Sequence, residues 1–285
     1  MDAKTHTRQA ASAAKKLQIP GDLARSVRER RAILFAGAGL SMCVGLPSWR
    51  MLIEHMTEEL KLDPKCVEDT NYQTLAEYYR LKQGSIGTLR SWMDRNCNVP
   101  EEQVRASVIH RLIVELDFPI LYTTNYDRNL EVAFQIYQKN FVKVANAKDI
   151  AKIEENVTQI VKYHGDFDDD NSLVLAETDY FKRLAFDSPL DIKFRADALG
   201  RTILFIGYSM SDTNIRLLLH RLWETWARSG HQQERPQSYA FTTRRDEVQE
   251  AVLGRWGITA LTSRHDDPQE GLRQFLLELK IAVEG

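Results

Sequence analysis

Short, unbroken apolar runs alternate with helix-periodic stripes along most of this chain, and that alternation predicts the fold. Ile33–Ala36 is too short for a helix and stops at Gly37, so it reads as a strand buried on both faces. The other strand candidates are Phe118–Thr123, Gln159–Tyr163, Leu173–Leu175, Thr202–Ile206, Ser238–Thr242 and Ile258–Leu261. Several are continuous apolar runs, as strands of a parallel sheet covered on both sides should be. Helical stripes lie between them. Ile215, Leu218, Leu219, Leu222, Trp223 and Trp226 share one helix face, with Asp212 standing where an N-cap would start it. Leu272, Phe275, Leu276 and Leu279 mark a C-terminal helix, and Asp22 is placed to cap a helix over 23–30. The alternation predicts an α/β domain: an open, mostly parallel sheet with helices on both faces.

Residues 50–117 depart from that rhythm. MLIEHMTEEL, LAEYYRLKQ, IGTLRSWMDR and EEQVRASVIHRLIVEL carry little strand character, so a helical insertion is expected there. A second helical stretch is expected over 181–200, and the polar Ser229–Gln237 reads as a turn before the last strand pair. Pro20-Gly21 separates a leader, 1–20, from the main domain, 21–285. The Ala-rich leader lacks the apolar centre of a secretory signal and reads as a short helix or an oligomer arm.

Composition narrows the chemistry. The 285 residues are 43% hydrophobic and 27% charged with a net charge of −2, which does not indicate a nucleic-acid surface. No apolar run approaches the roughly 18 residues of a membrane span. The three cysteines, Cys43, Cys66 and Cys97, form no disulfide framework and cannot supply a four-cysteine zinc site. The seven histidines show no metal-ligand spacing, so no metal is expected. A reducing, cytoplasmic setting follows.

Four strand ends carry residues suited to a ligand. In Gly37-Ala38-Gly39-Leu40-Ser41, glycines let backbone amides approach a pyrophosphate, unless the segment is a plain tight turn. Met42 breaks a full GxGxxG, and no second strand ends in an acid about 20 residues on, which disfavours a dehydrogenase. Thr124, Asn125 and Asp127 follow the next strand. Asn125 can donate to or accept from a ribose hydroxyl or a water, and Asp127 can bond a carboxamide; alternatively, either caps a helix over 128–138. His164, before Gly165, is a candidate general base or a structural histidine. The acids at 166–170 lack EF-hand spacing and read as a solvated turn. Gly207-Tyr208-Ser209-Met210-Ser211-Asp212 suits the adenosine end of a dinucleotide, or is an ordinary capped turn.

Taken in order, these segments resemble the sirtuin (SIR2) family, most closely its zinc-free bacterial branch found in anti-phage defence. GAGLSMCVGLPSWR is similar to the sirtuin block GAGxS…GIPDFR through Gly37, Ala38, Gly39, Ser41, Gly45, Pro47 and Arg50, with Trp49 where the family usually has Phe. TTNYD resembles TQNxD, keeping Asn125 and Asp127 but replacing Gln by Thr124. HGD resembles the segment carrying the family's catalytic histidine, here His164, and GYSMSD resembles the adenosine-ribose segment.

The resemblance implies a Rossmann-like domain without a zinc module, binding NAD as substrate and no metal. It puts Gly37, Ala38 and Ser41 along the pyrophosphate and nearby ribose. Gly39, Pro47, Trp49, Arg50, Thr124, Tyr208 and Asp212 complete the NAD-binding set, with Gly207 and Ser209 on the adenosine side. Asn125, Asp127 and His164 are the catalytic set, His164 as base. No four-cysteine module follows His164, and with the helical insertion this argues against deacylation. The implied activity is an NAD glycohydrolase giving ADP-ribose and nicotinamide, an effector that depletes NAD in abortive infection. The alternatives are an NAD or ADP-ribose sensor or scaffold without chemistry, and a sirtuin-type deacylase or ADP-ribosyl transferase. A homo-oligomer and a HerA-like hexameric ATPase partner are implied too, with the leader and the insertion as contact surfaces.

Overall fold

The computed structural model describes residues 17–46, 49–67, 70–169, 172–210 and 212–285, and only the backbone of Trp49. The leader before Leu17, and Pro47, lie outside the described residues. Parallel strands β1 (Ala32–Ala36), β2 (Ile120–Thr123), β3 (Phe141–Val144), β4 (Thr158–Lys162), β5 (Thr202–Ile206), β6 (Ser238–Thr242) and β7 (Ile258–Thr262) form one sheet in the order β3-β4-β2-β1-β5-β6-β7. The helices are α1 (Gly21–Arg28), α2 (Ala38–Met42), α3 (Trp49–Glu59), α4 (Tyr72–Gln83), α5 (Gly87–Asn96), α6 (Glu101–Ala106), α7 (Val108–Glu115), α8 (Asn129–Ile136) and α9 (Ala147–Ile150). After them come α10 (Glu177–Arg183), α11 (Pro189–Leu199), α12 (Thr213–Ser229), α13 (Glu247–Arg255) and α14 (Pro268–Glu284).

Strand β1 sits mid-sheet, with Phe35 in register with Tyr122 of β2 and Phe205 of β5. From β1 the sheet extends on one side through β2, β4 and β3 and on the other through β5, β6 and β7, the chain filling the first side before it crosses to the second. The loops after β1 and β5 therefore diverge, and the crevice between them is where open α/β sheets bind ligands.

Alternate side chains of the central strands feed two cores. Leu34, Leu121, Ile160 and Leu204 pack under α1, α7, α8 and α14, while Ile33, Phe35, Tyr122 and Phe205 pack under α11, α12 and α13. Each fully buried side chain of this size is worth about 1.5–3 kcal/mol. Both β1 and β5 are buried along their whole length, which is why their sequences are apolar apart from Thr202, whose hydroxyl bonds that of Ser26. Helix α12 begins as its sequence requires: Asp212 accepts the N–H groups of Asn214 and Ile215 at 2.9 and 3.2 Å. Residues 49–97 build a third core, in which Leu52, Met56, Leu75, Tyr79, Leu89 and Met93 meet Tyr126, Phe167 and Leu175. Helix α7 instead joins the sheet's own layer.

Three sequence expectations change. Leu173–Leu175 is apolar and buried but not a strand: it plugs the third core, and Val174 N–H donates to His164 O at 2.9 Å. Strand β3 was hidden because it is a four-residue edge strand carrying Lys143, with only Val144 buried. Asp22 does not cap α1; Pro20 holds that position and Asp22 accepts the Tyr239 hydroxyl at 2.6 Å.

Candidate active site

The crevice starts with two backbones that touch. Gly37 N–H donates to Ile206 O at 2.9 Å and Gly39 N–H to Gly207 O at 2.8 Å. A Cβ on Gly37 would lie 2.5 Å from Gly207 O, and one on Gly39 2.8 Å from Gly207 Cα. Gly207 itself has φ +58°. These glycines are thus required by the β1–β5 loop junction, and the amides of Gly37 and Gly39 are committed there rather than to a phosphate.

From that junction a hydrogen-bonded chain runs to the end of β2. Asn125 Nδ2 donates to Gly37 O at 3.0 Å and to Ser41 Oγ at 2.8 Å, and Ser41 Oγ donates to Asp127 Oδ2 at 2.5 Å. Asp127 Oδ1 accepts the Asn129 N–H at 3.1 Å. Both Asn125 protons are spent, so its Oδ1 is left as an acceptor. The Ser41 proton is likewise spent on Asp127. Beneath this loop lies Lys162, fully buried, bonded to the carbonyls of Tyr126 and Asp127 and 3.3 Å from Glu131. Burial pushes the Glu131 carboxyl up, with Lys162 opposing.

Across the crevice His164 leaves β4 just before Gly165, whose φ of +91° turns the chain away. His164 Nε2 is 3.3 Å from Asp212 Oδ2. Burial pushes this imidazole down to about 4 against the opposing pull of Asp212, so it is neutral at pH 7. Tyr180 meets the ring edge-on at 5.3 Å, and its hydroxyl bonds that of Tyr72 at 2.7 Å.

Two cavities adjoin at Ala38. The larger, about 740 Å³, is lined by Gly39, Thr124, His164, Gly207, Tyr208, Ser209 and Asp212, and extends past Thr242 and Arg244. That size suits a nucleotide-like ligand. The smaller, about 70 Å³, holds Ser41, Asn125 and Asp127 within an apolar wall of Leu46, Met51, Leu52, Trp92 and Met93.

Of the residues singled out from sequence, these cavities gather all but four. Gly37 lies just behind, in the loop junction. Pro47 and the Trp49 side chain lie outside the described residues. Arg50 is exposed on α3 and pairs with Glu54 at 2.9 Å. Sequence reasoning missed Lys162, Tyr72 and Tyr180. A lysine inside the apolar run QIVKYH was a signal for the first; nothing local marked the tyrosines. Among the described residues no cluster of three or more His, Cys, Asp or Glu could hold a metal ion, and no helix is long and apolar enough to cross a membrane.

Fold and crevice define a Rossmann-like domain with a nucleotide-sized cleft at the topological switch point. The chain belongs to the SIR2-like domain family, whose model matches residues 119–261. It is 35% identical over 200 residues to the NAD(+) hydrolase ThsA of Enterococcus faecium, covering 68% of this chain and 40% of that protein. It is 31% identical over 209 residues to ThsA of Bacillus cereus (strain MSX-D12), covering 73% and 43%. Defense-associated sirtuin 2 of Bacillus subtilis matches at 30% over 216 residues, 70% of this chain and 20% of that one. The chain spans about two fifths of the length of these ThsA proteins.

Proposed function

We propose that this domain hydrolyses NAD to ADP-ribose and nicotinamide, as the effector of a cytoplasmic anti-phage defence system. The observation that carries the reading is the junction of an apolar recess holding Asn125 and Asp127 with a large polar cleft holding His164. The nicotinamide carboxamide enters the recess, where Asp127 keeps acceptor capacity beyond its bonds to Ser41 and Asn129. The rest of the dinucleotide lies in the cleft along Ala38, Gly39, Gly207, Tyr208 and Ser209. The leaving group turns from pyridinium cation to neutral nicotinamide, a change that an apolar wall favours, while positive charge builds on the ribose carbon. Asn125 Oδ1 holds the attacking water or a ribose hydroxyl. His164, neutral at pH 7, takes its proton.

The names of the ThsA relatives support this activity, and the chain covers only part of their length. A homo-oligomer and a HerA-like ATPase partner belong to the same proposal, with the leader and the insertion as contact surfaces; light scattering that returns a clean monomer, alone and with such a partner, speaks against it. The activity is tested by nicotinamide release from NAD. The parent releases nicotinamide without any acetyl-lysine peptide, and His164→Ala lowers the rate on the order of 10²-fold or more. Release at the parent rate by His164→Ala rejects the assignment, and release only with the peptide makes the protein a deacylase.

A further inference from the structure

Asp212 spends its two oxygens on two different elements. Oδ1 accepts the N–H groups of Asn214 and Ile215 at the start of α12, and Oδ2 stands 3.3 Å from His164 Nε2. The helix start fixes the carboxylate and favours its negative charge. The imidazole is fixed as well: Tyr180 lies edge-on against it, Tyr163 lies at 5.8 Å, and the His164 carbonyl accepts Val174 N–H at 2.9 Å. The charged and titratable groups facing His164 are few. Arg183 of α10 and Asp191 of α11 neutralise each other in an ion pair with Nε–Oδ2 at 3.0 Å. Tyr72, Tyr180 and Tyr208 contribute neutral hydroxyls, that of Tyr208 without a hydrogen-bond partner among the described residues. Asp212 is therefore the unbalanced charge beside the imidazole.

We propose that Asp212 is the positioning partner of His164, holding the imidazole with its proton on Nε2 so that Nδ1 is the base. A carboxylate can only accept, so the ring nitrogen facing it carries the hydrogen and the lone pair falls on Nδ1. The chemical arm of this inference rests on the NAD reading; its structural arm does not. In the reaction the bond between the ribose anomeric carbon and the pyridinium nitrogen breaks, and its electron pair stays on nitrogen, giving neutral nicotinamide. Water oxygen bonds to the carbon. The water proton passes to Nδ1, and Asp212 offsets the imidazolium charge until that proton reaches solvent. Resemblance grouped Asp212 with the NAD contacts; its geometry gives it to the histidine instead.

Asp212→Asn tests this. Asn caps a helix as well as Asp does, so the start of α12 is kept. Its amide then turns a donor toward Nε2 and selects the opposite tautomer. The expected result is a kcat lower by about 10²–10⁴-fold with KM within about threefold, because the loss lies in the base and not in binding. The acid limb of the rate also moves to lower pH, since the carboxylate no longer favours the imidazolium. Asp212→Ser, which caps without charge, should show the same split if the Asn variant folds poorly. A raised KM with unchanged kcat makes Asp212 a ribose contact and overturns the proposal. A second measurement needs no turnover: ¹⁵N spectra of the histidine-labelled parent, with His164 identified by its loss in His164→Ala. The Nε2–H tautomer is expected, and Nδ1–H overturns the dyad. A parent that releases no nicotinamide sinks the NAD reading instead and leaves the dyad to be judged on the tautomer.

Discussion

The two walls of the crevice are built on opposite plans. On the β1–β2 side the donors of the central network are all committed: Asn125 bonds Gly37 and Ser41, Ser41 bonds Asp127, and Lys162 grips the loop from below, so that only acceptors such as Asn125 Oδ1 remain open. On the β4–β5 side the Tyr208 hydroxyl has no hydrogen-bond partner among the described residues, and His164 faces one carboxylate. A saturated network holds one geometry and resists change, since each lost partner strands another buried group. The open side keeps hydrogen-bonding capacity for a ligand and a base whose protonation can change. On the proposed reading the first wall preorganises and the second reacts.

Within the β1–β2 wall the largest effect should come from cutting the network at Asn125. Asn125→Ala removes the acceptor proposed for water or ribose and takes one donor each from Gly37 O, which keeps Leu40 N–H at 3.0 Å, and from Ser41 Oγ, which keeps Asp127. Nicotinamide release should fall on the order of 10²–10³-fold, with about 1–3 kcal/mol lost in denaturant unfolding. Ser41→Ala breaks the same chain one link away from the substrate, so a loss of about tenfold is expected, with a stability cost near 1 kcal/mol. If Ser41→Ala costs as much as Asn125→Ala, Ser41 touches substrate and the wall is not merely structural.

That ranking was only half legible in the sequence. The strand runs and their polar ends pointed to the candidate crevice, because fully buried parallel strands must be apolar and open α/β sheets bind ligands at the carboxyl ends of their strands. Asn125, Asp127 and His164 could be named for the same reason. Their bonding could not. Nothing in GAGLS reveals that Gly37 and Gly39 pack on Gly207, some 170 residues away, or that the Ser41 proton goes to Asp127. Tyr72 reaches Tyr180 only because α4 packs against α10, a tertiary contact with no local signature. The fold failed to declare itself at β3, where an exposed edge relaxes the apolar requirement, and at Leu173–Leu175, where a buried apolar plug has the composition of a strand.

Acid should weaken both sides together. Each has a buried histidine behind it: His164 in the cleft, and His110 on α7, bonded to Ser107 Oγ at 2.9 Å and within the field of the Asp127 carboxylate. Burial pushes both imidazoles down to about 4. The unfolded chain binds these protons near 6.5, so the folded state holds fewer protons between those values. Their contribution is complete above pH 6.5 and is lost as pH falls toward 4, roughly 1–3 kcal/mol for each. Thermal melts from pH 7 to 4 should therefore show a steep decline, and His110→Leu should flatten it without changing the pH dependence of turnover. A melting curve as steep in His110→Leu as in the parent would remove His110 from the account.

The smallest expected effect belongs to Arg50, and it decides whether the preorganised wall is complete as it stands. Resemblance places this arginine among the NAD contacts, yet its side chain is 84% exposed and bonded one turn along α3 to Glu54. Such an exposed pair contributes about 0–1 kcal/mol. If the recess is already formed, Arg50→Ala leaves kcat/KM within about twofold and stability within about 0.5 kcal/mol. A tenfold fall in kcat/KM at unchanged stability means instead that α3 carries Arg50 inward when substrate binds. Met51 and Leu52, the next residues of α3, wall the recess, so that outcome would make the side beside Asn125 the mobile one and reverse the assignment of rigid and responsive walls.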